Sequence, residues 1–259
     1  MTNSRDHYGL TPSPWVAGCS DVGLRHASNQ DAMSLAVHDD PPQVVIAVAD
    51  GVSTAYGSER ASLAAVAACE DSLLRALEGG HPGEAPFAVA FEAADRAVGI
   101  AAGEEEPSAC TLIAAVVSPG TITVGNVGDS RAYWVGDDGD YRQLSVDDSM
   151  AAARMMMGMT REEAENSHQG HAITRWLGRQ TPGIVPSMCV LPISSPGWLV
   201  VCTDGLWNYA SAPEDLGRLL RWVSEHSEDA ESIAATLVDW ANEQGGKDNV
   251  TVVVARCVP

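Results

Sequence analysis

Three aspartates stand where apolar runs end. Val44-Val45-Ile46-Ala47-Val48-Ala49 leads into Asp50-Gly51, and Trp198-Leu199-Val200-Val201-Cys202-Thr203 leads into Asp204-Gly205. Asp248 stands beside Asn249 at the mouth of Val250-Thr251-Val252-Val253-Val254. Short runs of small and β-branched apolar residues read as buried strands. A carboxylate at a strand exit lies where a rigid scaffold meets solvent. A following glycine lets the backbone turn sharply and brings its carbonyl close to a ligand. One Asp-Gly pair alone is ordinary turn chemistry. Three strand-edge aspartates, far apart in sequence, suggest one shared cation site. Such donors are hard oxygens, suited to Mg²⁺ or Mn²⁺ rather than zinc or copper.

The elements that must position these aspartates follow in order. Residues 1–14 read as a flexible leader, with Pro12 and Pro14 resisting regular structure, and residues 15–259 as one domain without repeat or linker. A strand from Val16 and a Gly-marked turn lead to a hairpin of Met33–Val37 with the Asp50 strand. Helical spacing of apolar residues then predicts two antiparallel helices, Glu59–Leu77 and Ala85–Ala102, whose apolar stripes cover a sheet. The acidic run Glu104–Glu106 reads as a solvated loop. Cys110–Val117, Thr121–Val127, Arg131–Val135 and Tyr141–Leu144 read as one antiparallel meander. Asp147–Arg175 is irregularly helical, and its methionines at 155–157 and 159 read as ordinary packing. Strands at Val185–Val190 and Leu199–Thr203 precede a helix from about Glu228 to Glu243, capped by Ser227. Blocks of strands and helix pairs without βαβ spacing make an α+β fold with mainly antiparallel sheets.

Composition narrows the partners. The 259 residues are 45% hydrophobic and carry a net charge of −20. That charge argues against binding nucleic acid or an anionic membrane surface, and any phosphorylated ligand needs bound cations to invert the local field. The six cysteines are scattered, without a C-x-x-C pair, and read as reduced buried thiols. With no apolar h-region near Met1 and no apolar run long enough to span a bilayer, the expected location is the cytoplasm.

The ordered motifs resemble a known family. Gly23-Leu24-Arg25-His26 with Asn29-Gln30-Asp31, Asp50-Gly51, Ser108-Ala109-Cys110-Thr111, Gly128-Asp129-Ser130-Arg131-Ala132-Tyr133, Cys202-Thr203-Asp204-Gly205-Leu206-Trp207 and Asp248-Asn249-Val250-Thr251 are similar to the metal-dependent protein phosphatases of the PP2C type, in their bacterial form. The resemblance implies a four-layer α-β-β-α sandwich with a metal site at one edge. It implies hydrolysis of phosphoserine and phosphothreonine by water activated between two Mn²⁺ or Mg²⁺ ions. Asp50 would bridge the ions, Asp204 and Asp248 would complete the shell of the first ion, and the Gly51 carbonyl would join Asp50 on the second ion. Gln30, Asp31 and Asn249 would stand behind these ligands. Phosphorylated proteins would be the substrates, a Ser/Thr kinase the opposing enzyme, and the chain a monomer. Ser130 reads as structural, with Asp129 and Arg131 tying turns together.

The chain departs from the family pattern in several places. Gln30 stands where a glutamate is common, which predicts weaker affinity for the second ion. The phosphate-gripping arginine has two candidates, Arg25 and His26. Val52-Ser53-Thr54 carries no histidine to act as general acid. Asp147-Asp148-Ser149 replaces an Asp-His-Ser, and Pro107 offers no side-chain oxygen to a third ion. A second reading stays open, a pseudophosphatase that binds phosphoproteins without turnover.

Overall fold

The computed structural model describes residues 5–102, 108–178, 183–227 and 229–259. The Glu104–Glu106 run and Pro107 therefore lie outside the described residues. Eleven strands build two antiparallel sheets among the described residues. Strands β1 (His7–Ser13), β2 (Val16–Asp21), β7 (Arg131–Gly136), β8 (Tyr141–Gln143), β10 (Gly197–Cys202) and β11 (Val250–Cys257) form the first, in the order β1-β2-β11-β10-β7-β8. The second is β3-β4-β5-β6-β9, from Ala32–Asp39, Pro42–Ala49, Leu112–Ser118, Thr121–Val127 and Ser187–Pro192.

Strand alternation assigns each side chain to a layer. In β4, Val44, Ile46 and Val48 enter the core between the sheets. Val45, Ala47 and Ala49 face the opposite way, into the core under α1 (Ser58–Glu78) and α2 (Ala85–Ala101). In β11, Val253 and Ala255 join the inter-sheet core, while Val250, Val252 and Val254 pack under α6 (Pro213–Ser224) and α7 (Ala230–Glu243). Runs of continuous β-branched residues are thus strands buried on both faces. The result is the four-layer α-β-β-α sandwich, and the β3/β4 hairpin forms as the sequence pattern predicts.

Five expectations need correction. His7–Ser13 is no loose leader but an edge strand, because its backbone finds partners along β2 from His7↔Asp21 to Ser13↔Val16. The proposed meander is broken: β5 pairs β6, β7 pairs β8, yet β6 and β7 belong to different sheets. Gly128 makes the crossing with φ 107°, a backbone that side-chain-bearing residues rarely adopt. The helix α7 is capped by Asp229, whose carboxylate accepts from Ser232 N–H at 2.8 Å, rather than by Ser227. Met156 and Met157 on and after α3 (Met150–Met156) are 80% and 79% exposed, so they do not pack in a core. Finally, α6 and the short α5 (Asp204–Trp207) occupy a stretch to which the sequence pattern assigned no element.

All six thiols are free, and five are buried. Burial pushes the Cys19 thiol up to about 12, which leaves it protonated and inert.

Candidate metal centre

Asp50 leaves β4 with its backbone held on both sides. Its N–H donates to Thr111 Oγ1 at 3.0 Å, and its carbonyl accepts from Thr111 N–H at 2.8 Å. The Thr111 and Ser130 hydroxyls meet at 2.9 Å. The Ser-Ala-Cys-Thr and Gly-Asp-Ser-Arg segments are thereby joined beneath Asp50, and Ser130 acts as a strut.

Asp31 fastens the two sheets together. It is 1% exposed, and its Oδ2 accepts from the hydroxyls of Thr203 and Thr251, each at 2.8 Å. Thr203 follows β10 and Thr251 lies in β11, so the entry to β3 is tied to the strands that deliver Asp204 and Asp248. Asn249 does the same for the loop before β3. Its Oδ1 accepts from Gln30 N–H at 2.8 Å, and its Nδ2 donates to the carbonyls of Val22 and Ser28 at 2.8 and 3.2 Å. Gly23, at φ 73°, lets that loop lie against the Asp248 carbonyl, which a Cβ there would approach to 2.2 Å. The Gln30 carbonyl accepts from Ser62 Oγ at 2.5 Å, and it would lie 2.8 Å from a Cβ placed on Gly51. Gln30 is thus beside Gly51 through its backbone.

These contacts bring carboxylates into mutual repulsion. Burial, then the charges of Asp31, Asp204, Asp129 and Asp248, hold the Asp50 carboxyl well above the usual range. Burial, then Asp129, Asp248 and Asp31, do the same to Asp204. Both keep part of their surface open while protein encloses them on the remaining sides. Burial is also the main cause that pushes Asp31 and Asp129 up to about 7. One oxygen each of Asp31 and Asp204, Oδ1 in both, is buried without a hydrogen-bond partner. Such oxygens, crowded by like charges, are what a hard divalent cation would satisfy. Among the described residues no three acidic, histidine or cysteine side chains close into a ready-made cage, which leaves much of any cation's shell to water.

The sequence-assigned residues Asp31, Asp50, Asp204 and Asp248 therefore belong to one electrostatic cluster. Asp129, which the sequence pattern assigns to tying turns, instead joins this cluster, while Arg131 keeps the tying role. Arg131 is fully buried and pairs with Asp147 at 2.7 Å and Glu165 at 2.9 Å. The signal for Asp129 was present in the chain: Val127-Gly128-Asp129 is another apolar strand ending at a carboxylate. Asp148 holds the same turn, accepting from Gly128 N–H at 3.0 Å and pairing with Arg175 at 3.2 Å. The two phosphate-gripping candidates diverge. His26 Nε2 lies 3.2 Å from Asp248 Oδ1, whereas Arg25 is exposed and has no ion-pair partner among the described residues.

A cleft of about 410 Å³ opens beside this cluster, with Asp248, Gly205 and Asn208 in its lining. Asn208 Nδ2 donates to Asp204 Oδ2 at 3.1 Å and so links the cleft to the cluster.

Comparison with known proteins agrees with this geometry. A family model of protein phosphatase 2C matches residues 24–242. The serine/threonine protein phosphatase PstP of Mycobacterium tuberculosis is 31% identical over 250 residues, which is 93% of this chain and 45% of that protein. The chain spans about half the length of the curated relatives it matches. Among solved structures, the PPM Ser-Thr phosphatase MsPP from Mycobacterium smegmatis, in complex with cacodylate, is 31% identical with a TM-score of 0.75, covering 94% of this chain and 98% of that one. The catalytic domain of PstP with two manganese ions is 27% identical with a TM-score of 0.72, covering 93% and 97%. The family match across residues 24–242 and the 31% identity to PstP over 93% of the chain place this chain in the protein phosphatase 2C family.

Proposed function

We propose that this chain hydrolyses phosphoserine and phosphothreonine on proteins, with two Mn²⁺ or Mg²⁺ ions as cofactors. The observation that carries the reading is the buried, partnerless Oδ1 of the ligand candidate Asp204 within a cluster of mutually repelling carboxylates. A structural cluster would relieve that repulsion with arginines, as Arg131 does for Asp147, whereas a cation site must keep it. PstP, solved with two manganese ions, supports the choice of cofactor.

Asp50, Asp204 and Asp248 would hold one ion, and Asp50 with the Gly51 carbonyl the other. When bound, such ions polarise the phosphoryl group and lower the pKa of water, which removes the need for a serine or cysteine nucleophile. The remaining work falls to the chain itself. Arg25, exposed and free of ion pairs among the described residues, would grip the substrate phosphate. His26 would orient Asp248 through its 3.2 Å contact. Asp31, Gln30 and Asn249 would hold the ligand-bearing turns in place. On this reading the enzyme opposes a Ser/Thr kinase in a bacterial cytoplasm and acts as a monomer, with edge strand β1 part of its domain. No helix among the described residues is long and apolar enough to cross a membrane.

The test is phosphate release from phosphoserine and phosphothreonine peptides with Mn²⁺ and with a chelator. Release that requires the metal supports the proposal, and no release at saturating Mn²⁺ would refute it.

A further inference from the structure

The cleft beside the carboxylate cluster sets one cation, Lys247, beside two acids, Glu165 and Asp248. Its walls come from α5 and its exit, from the loop before β11, and from α4 (Arg161–Glu165) and the segment after it. Asp248 is part of the lining, so a group that enters the cleft lies next to the reacting centre. The net charge of the chain is −20, yet its only lysine, Lys247, stands exposed in this lining. The Lys247 backbone N–H donates to Tyr209 Oη at 3.2 Å, which fixes where the side chain starts.

Trp207 is the floor of the same cleft. It is 2% exposed, and its indole Nε1–H has no hydrogen-bond partner among the described residues, an expensive arrangement for a buried donor. Its ring is clamped from two sides. The His171 ring stacks on it at 5.7 Å between centroids, and the Arg131 guanidinium lies 3.7 Å from the ring centroid. Arg131 is itself fixed by Asp147 and Glu165, so the indole cannot turn to find another acceptor. Two carboxylate oxygens in the lining are already engaged. Glu165 Oε1 receives bonds from Arg131, Arg161 and Ser211, and Asp248 Oδ1 faces His26 and the Asn249 N–H. An ammonium, an indole N–H and an exposed imidazole remain for a ligand, and all three can favour an anion.

We propose that this cleft is a subsite for an anionic group flanking the phosphorylated residue of the substrate, either a carboxylate side chain or a second phosphate. Lys247 and the Trp207 N–H grip the anion, and His171 closes one side. The inference rests on the phosphatase reading and adds a sequence preference to it. Elsewhere the negative field of the molecule repels acidic peptides, so a local cation is what makes such a preference physically available.

Three phosphoserine peptides of one sequence test it, with flanking residues that are neutral, glutamate or a second phosphoserine. Initial rates with Mn²⁺ are measured for the unmodified protein, Lys247→Gln and Lys247→Arg. Each variant is read as the ratio of acidic to neutral peptide, so that any general effect of altering the neighbour of Asp248 cancels. The expected KM is roughly fivefold lower for the acidic peptides, the upper range for a half-screened ion pair. The ratio should fall toward one in Lys247→Gln and persist in Lys247→Arg. The glutamate and second-phosphate arms show which anion is preferred. Equal KM values across the three peptides in the unmodified protein, or a preference that survives Lys247→Gln, overturn the subsite. Failure of every peptide to react would instead sink the phosphatase reading. Calorimetric titration of the same peptides would then decide the subsite, with equal affinities for neutral and acidic peptides overturning it.

Discussion

Replacing Asp31 with asparagine should stabilise the metal-free protein, and the gain should grow with pH. Asp31 is 1% exposed, and burial is the largest of the effects that push its carboxyl up to about 7 from 3.8. A carboxyl whose folded-state pKa lies above its unfolded value binds its proton more tightly in the folded chain. Below about pH 4 both states are protonated and the residue costs nothing extra; the cost then builds up to about pH 7 and stays constant beyond it. At about 1.4 kcal/mol per pH unit, that interval amounts to at most about 4 kcal/mol. For a chain of this size the equivalent rise in Tm is about 10 °C. Asparagine carries no charge, its oxygen can still accept from Thr203 and Thr251, and its amide takes the place of the partnerless Oδ1. Thermal unfolding in chelator, followed by circular dichroism from about pH 4.5 to about pH 8, checks this. The two melting curves should nearly coincide at the acid end and separate to a plateau above neutrality. Added Mn²⁺ should narrow the gap, because a cation replaces the proton as counter-charge. A gap independent of pH, or a wild-type protein that gains on the variant between the two ends, would refute the reasoning.

Three further outcomes are expected. Asp204→Asn and Asp248→Asn should each nearly abolish phosphopeptide hydrolysis while circular dichroism reports an intact fold; near-normal rates in both at limiting Mn²⁺ would remove them from the ligand set. Gln30→Glu adds a carboxylate beside Gly51, and at about 1 kcal/mol of added attraction it should lower the Mn²⁺ concentration for half-maximal activity about fivefold. An unchanged or higher concentration would show that the Gln30 side chain does not face the second ion. Arg131→Met leaves Asp147 buried without its partner, a loss of about 3–5 kcal/mol that should shift the denaturant midpoint strongly downward; an unmoved midpoint would show that the pair is not structural.

The chain alone was enough to locate much of the carboxylate cluster and most of the architecture, because the relevant signals are local. Apolar runs that end in Asp-Gly, or that open after Asp-Asn, report a strand and its edge within about eight residues. The helical spacing of α1 and α2 reports a covering pair in the same way. Asp50, Asp204 and Asp248 were therefore legible before any tertiary contact was known, whereas Asp31 entered only through the resemblance of Asn29-Gln30-Asp31 to the family motif. What the tertiary structure decided depends on partners remote in sequence. Edge strand β1 exists because β2 offers free backbone groups, not because of anything in His7–Ser13. The jump from β6 to β7 between sheets follows from which strands were left to pair, and only that jump carries Asp129 into the acid cluster. Likewise, the contact of His26 with Asp248, more than 220 positions away in the chain, exists only in space. Burial and charge coupling are functions of distance in space, and a single sequence records only distance along the chain.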